Sequence, residues 1–169
     1  MNGSRRLACL IRPLLPVVLG AAALAACSDG DTGTSGTTTT TTDTSGCATD
    51  TRAQVYVVGL SAASDDGAVK VTFVDADPAP PAKGNNTWTV KLTDAAGKPI
   101  SGAAIEATAY MPDHGHTSPI KPTGTEKDAG TYEVTPVNLF MPGIWEITLK
   151  VTPAGGAAES VKFTFCVAG

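Results

Sequence analysis

Two short stretches hold both histidines of this 169-residue chain and every methionine except Met1. The first, Tyr110 to Pro119, reads YMPDHGHTSP and carries Met111, His114 and His116. The second, LFMPGIW, carries Met141. In each, the methionine follows an aromatic or apolar run and precedes proline. Imidazole nitrogen suits copper, zinc and nickel, and thioether sulfur adds a preference for Cu(I). Zinc favours Cys, His and carboxylate over thioether. Met111, His114, His116 and Met141 are therefore a candidate copper-ligand set. His-x-His alone is an unspecific pattern. Gly115 permits a sharp bend between the imidazoles, and in an extended chain residues i and i+2 share a side, so either conformation lets them converge. The plain alternatives are two solvated histidines and a Met141 that fills space under Trp145.

Other chemistry finds less support. Asp113 beside His114 has no nucleophile to activate, so no enzyme is expected. Asp75-Ala76-Asp77 lacks the further oxygen ligands of a calcium site and reads as a turn. A blue-copper centre needs a Cys thiolate beside two His, and the cysteines have other uses.

The elements that must position these residues are strands. Apolar and polar residues alternate around Val69–Phe73, Trp88–Leu92, Ile105–Ala109, Tyr132–Val134, Trp145–Val151 and Val161–Val167. The apolar run Val55–Leu60 adds a seventh strand. Turn chemistry separates them at Asp65-Asp66-Gly67, Asp94 to Pro99, Asp128-Ala129-Gly130 and Pro153 to Gly156. With no amphipathic helix in the series, a parallel sheet is not expected. The pattern predicts an all-β, immunoglobulin-like antiparallel β-sandwich of about seven strands. Asp128-Ala129-Gly130-Thr131-Tyr132 is similar to a tyrosine corner, with Val134 where an antibody-type domain has Cys. Prolines 112, 119 and 122 place the His stretch in a loop outside the sheet. Met141 falls in a tight turn at Pro142-Gly143. A four-ligand site requires that this loop and this turn meet.

The N-terminus reads as a targeting segment. Arg5, Arg6 and Arg12 precede an apolar run that ends in Leu24-Ala25-Ala26-Cys27. Its last four residues resemble a bacterial lipobox, which implies cleavage after residue 26 and lipid on Cys27. Ser28 follows, which by the enteric sorting rule directs the protein to the outer membrane. Residues 27–46 are rich in Thr, Gly and Ser, with nothing apolar to bury, and read as a flexible linker. The folded domain is then 47–169. Of 12 basic residues, three leave with the signal, so nine face 16 acidic ones, a formal charge of −7. That balance argues against a nucleic-acid partner. Cys9 leaves with the signal and Cys27 carries lipid. Cys47 and Cys166 remain as a pair in an oxidising compartment, expected to form a disulfide, with free thiols or metal thiolates as the alternative.

The stretches GKPISGAAIEATAYMPDHGH and GTYEVTPVNLFMPGIWEITLKV resemble the YtkA-like and FixH-like domains of bacterial exported and membrane-anchored proteins. The likeness covers about residues 69–151, and more loosely 53–167. It rests on the Gly-Lys-Pro-Ile-Ser-Gly-Ala lead-in, the Met-Pro…His loop and the Gly-x-Tyr…Met-Pro-Gly-x-Trp hairpin. The resemblance implies an Ig-like β-domain. It also implies a role in copper handling, with another envelope copper protein or an oxidase-assembly protein as partner. The other reading is an Ig-like interaction module, tethered to the membrane and free of metal.

Overall fold

The computed structural model describes residues 46–169. The signal segment 1–26, lipidated Cys27 and the linker up to residue 45 lie outside the described residues. Nine antiparallel strands form the domain: β1 (Ser61–Ala63), β2 (Lys70–Asp77), β3 (Gly84–Thr93), β4 (Ala104–Met111), β5 (His116–Thr117), β6 (Thr123–Asp128), β7 (Thr131–Leu139), β8 (Gly143–Thr152) and β9 (Glu159–Val167). Each long strand turns its apolar residues to one side. β4 alternates exposed and buried along its full length, with Ile105, Ala107, Ala109 and Met111 inside. β3 buries Asn86, Trp88, Val90 and Leu92 in the same rhythm.

The strand order is β1-β2-β3-β7-β6-β4-β8-β9, with β5 added on β4. Two halves, β1-β2-β3-β7-β6 and β4-β8-β9, face each other across one core. Phe73 of β2 lies 4.9 Å from Phe163 of β9, and Trp88 of β3 lies 5.7 Å from Phe165, both edge-on. Only the Glu106↔Thr123 pair joins β4 to β6. Gly124 makes that junction possible, since a β-carbon there would stand 2.7 Å from the β-carbon of Ile105. The outer strands β1 and β9 also approach, so the sheet nearly closes on itself.

The all-β antiparallel class is as the alternation predicts, and the details differ in four places. There are nine strands rather than seven. Thr123–Asp128 is a strand although it carries no apolar residue, because it pairs with β7 along five positions. The Val55–Leu60 run is not a strand: Val55, Val57 and Val58 are exposed, while Tyr56 and Leu60 pack on the core. Gln54, just before the run, bonds to the edge of β9, its amide donating to the Thr164 carbonyl and its side-chain oxygen accepting from the Thr164 amide, while the Gly59 amide donates to the Phe73 carbonyl of β2 and the Leu60 carbonyl accepts from the Phe73 amide. Asp75 and Asp77 are not a turn but part of β2, paired with Thr89 and Thr87 of β3 just past a bulge between Phe73 and Asp75.

Two cross-links secure the frame. Cys47 and Cys166 are disulfide-bonded, with α-carbons 5.6 Å apart and a sequence separation of 119. Cys166 lies on the face of β9 opposite the core-facing Phe163 and Phe165, where it meets the N-terminal segment. Tyr132 is fully buried, and its hydroxyl donates to the Ile100 carbonyl at 3.0 Å while accepting from the Ala103 amide at 2.9 Å. The tie therefore reaches some 30 residues back, to the lead-in of β4, rather than to its own corner. Glu126 braces the same lead-in by accepting from the Gly102 and Gly130 amides, which holds its carboxyl below the usual range. Replacing Tyr132 with Phe strands one buried donor and one acceptor, and should lower stability by about 1–3 kcal/mol in urea denaturation. A loss under about 0.5 kcal/mol would mean that water serves both groups equally well.

Candidate metal centre

Met111 is the last residue of β4 and faces inward, fully buried. The chain then reverses through Pro112–Gly115. The His114 and Gly115 amides both donate to the Met111 carbonyl, at 3.3 and 2.9 Å. Gly115 has φ +69°, the left-handed conformation that this tight reversal needs. β5 returns along β4 with Tyr110 opposite Thr117 and Met111 opposite His116. The His stretch is thus a β-hairpin rather than a loop outside the sheet, because its prolines fall on either side of the two paired residues.

Residues directly opposite in an antiparallel pair point to the same face. His116 accordingly leans inward beside Met111 and is half-buried. Its ring stacks on Phe140 at 5.5 Å and 23°, and meets Trp145 edge-on at 6.2 Å. Phe140 and Trp145 are themselves 5.4 Å apart at 72°, so they form two walls of one box. The His114 ring lies 5.7 Å from that of His116, perpendicular to it and exposed to solvent.

The turn that carries Met141 closes the same end of the domain. The indole N–H of Trp145 donates to the Met141 carbonyl at 2.9 Å, and the Met141 side chain packs partly buried on the core. Gly143, the first residue of β8, lies under Met111: a β-carbon there would stand 2.7 Å from the Met111 methyl. The hairpin and the turn therefore meet. Met111, His114 and His116 share one hairpin, and Met141 is held against it through Trp145.

Within the described residues, three buried side-chain polar atoms have no hydrogen-bond partner: Tyr56 Oη, Trp88 Nε1 and His116 Nδ1. Tyr56 and Trp88 belong to the aromatic cluster around Phe73 and Phe165. Of the three, His116 is the one paired across from a methionine, Met111. An unpaired buried nitrogen costs about 1–3 kcal/mol, which a ligand on it would offset. The donor set fits a soft cation. No group of three or more His, Cys, Asp or Glu side chains is placed to hold a metal ion among the described residues.

Asp113 is engaged by Arg52. Both its oxygens accept from Arg52, at 2.7 and 2.8 Å, and that guanidinium holds its carboxyl below the usual range. Arg52 also binds Asp50, whose carboxyl is lowered to about 2 chiefly by the same side chain. The sequence gives no sign of Arg52's part, because 61 residues separate it from Asp113. Trp145 as a wall of the site was equally hidden, since its place in the strand alternation already accounts for it as core. Tyr110, which the aromatic-Met-Pro pattern places beside the ligands, sits on the opposite face of β4 and is exposed.

Neither the curated proteins nor the solved structures contain a match to this chain. Residues 63–150 match the family model described as YtkA-like. That span is just over half of the sequence and includes the hairpin, both walls and the Met141 turn, and the chain belongs to the YtkA-like family.

Proposed function

We propose that this is a lipid-anchored protein of the bacterial cell envelope that holds copper at one end of its β-sandwich. Met111 and His116 are the inner ligands in this reading, and His114 and Met141, from the hairpin tip and the neighbouring turn, complete the set. The observation that carries it is His116 Nδ1, buried, without a partner, and on the same face as the Met111 thioether. Phe140 and Trp145 then shield the metal from water. The protein binds and passes copper and catalyses no reaction. Its lipid on Cys27 tethers it to the outer membrane, and it exchanges copper with another envelope copper protein or an oxidase-assembly protein.

The test is an anaerobic titration of the mature chain with Cu(I) against a coloured competing chelator. Binding near one equivalent is expected. Outer-shell changes alone alter metal affinity about 10–100-fold, so a His114→Ala, His116→Ala double variant should bind more than about 100-fold more weakly. No uptake of Cu(I) or Cu(II), or uptake that the double variant leaves unchanged, overturns the reading. Capture of a specific envelope partner that ignores chelators and Met111 or Met141 substitution would point instead to a metal-free interaction module.

A further inference from the structure

The hairpin that carries both histidines is short. β5 is two residues long, and His114 lies at the exposed tip. Such a tip has few contacts of its own to hold it still. What grips it comes from the other end of the sequence. Cys47 is fixed to Cys166 by the disulfide, and the chain then makes two tight turns, with the Asp50 amide donating to the Cys47 carbonyl and the Ala53 amide to the Asp50 carbonyl. Gln54 pins the far side of this segment to Thr164. Arg52 stands between these two fixed points.

Its guanidinium is used on two edges. Nε and Nη2 donate to Asp50, and Nη1 and Nη2 reach across to Asp113, at 2.7 and 2.8 Å. A two-pronged arginine–carboxylate pair fixes orientation as well as distance. Asp113 directly precedes His114, so its carboxylate is the handle by which the hairpin tip is held.

We propose that Arg52 is a positioning residue for the metal site: the N-terminal segment acts as a latch that holds His114 beside His116 through Asp113. The inference rests on the copper reading above. Arg52 and Asp113 are both about half-exposed, at 45% and 48% of their side-chain surface, and an exposed pair of this kind contributes little to global stability. The latch therefore acts on where the hairpin tip sits and not on whether the domain folds. The two effects can be separated by experiment.

The test compares Cu(I) release, followed by transfer to a competing chelator, in the full mature chain and its variants. Arg52→Ala should release Cu(I) roughly tenfold faster, as a ligand loop that has lost its preorganisation does. Its melting temperature should stay within about 3 °C of the wild type, as for other surface changes. Arg52→Lys keeps the charge but loses the fork, and should fall between the two. Exchanging the partners, Arg52→Asp with Asp113→Arg, should recover most of the slow release, which a loss of charge beside the metal alone would not do. Equal release rates in the wild type and Arg52→Ala overturn the latch. Faster release that the exchange fails to recover overturns it as well. A wild-type chain that binds no Cu(I) overturns the copper reading instead, so the two failures are distinct.

Discussion

Replacing Cys47 and Cys166 together by alanine should destabilise the domain by about 4 kcal/mol and lower its melting temperature by about 15 °C. The bond closes a loop of 119 residues, nearly the whole folded chain, so the unfolded state without it gains far more freedom than the folded state does. Cys47 is also buried, and losing its sulfur leaves a small void at the Val167 carbonyl. Equilibrium unfolding in urea checks the magnitude. Amide exchange checks the location: without the bond, the segment from Cys47 to Gln54 is tied to the rest of the domain chiefly through Gln54–Thr164 and Arg52–Asp113, and the Gln54 amide should exchange much faster. A loss below about 1 kcal/mol would mean that the denatured chain is already compact at its ends and that the loop-entropy account does not apply here.

The second large effect is expected at Trp145. Its side chain is fully buried, and truncating a buried tryptophan to alanine costs about 3–5 kcal/mol. The change removes more than core volume. The indole N–H that holds the Met141 turn disappears, and so does one of the two walls around His116. Stability and Cu(I) affinity should fall together in Trp145→Ala. Trp145→Phe divides the two contributions: it keeps an apolar wall and most of the volume, but frees the Met141 carbonyl, at about 1 kcal/mol for the lost hydrogen bond. In that variant stability should be nearly preserved, with copper affinity reduced through the loosened turn. If Trp145→Phe binds Cu(I) as tightly as the wild type, Met141 is not a ligand and the site is confined to the hairpin.

The six long strands were legible because each has a wet and a dry face, and alternation records that directly. β6 was not, because Thr123 to Asp128 is exposed or half-exposed throughout and its place comes from partners on β7. The run from Val55 to Leu60 misled for the opposite reason. It is apolar on both sides, yet it bonds to β2 at Phe73 through Gly59 and Leu60 without a ladder along its length, and its three valines face solvent. The junction of the two halves rests on Glu106, Thr123 and the glycine at 124, a contact of shape that leaves no periodic trace. At the candidate site, the sequence picked out Met111, His114, His116 and Met141 by type, but its prolines pointed to a loop where β5 in fact pairs with β4. That the hairpin and the Met141 turn meet follows from β4 and β8 pairing along seven residues, from Ala104↔Thr152 to Tyr110↔Glu146, which brings the end of one strand beside the start of the other. Arg52 was out of reach, because nothing local connects residue 52 with residue 113.

One feature of the frame bears on how this protein is handled at the bench. Val167 pairs with Gly143, the residue packed under Met111, and Cys47 is bonded to the neighbouring Cys166. Cys47 and Val167 thus both lie at the end of the domain that carries the His114–His116 hairpin. A polyhistidine tail on the C-terminus would place a cluster of free imidazoles within reach of His114 and His116, and would compete for the copper it was meant to help measure. The turns at Asp94–Lys98 and Pro153–Gly156 lie at the other end, exposed and clear of both histidines. A label, a surface linkage or an inserted epitope belongs there.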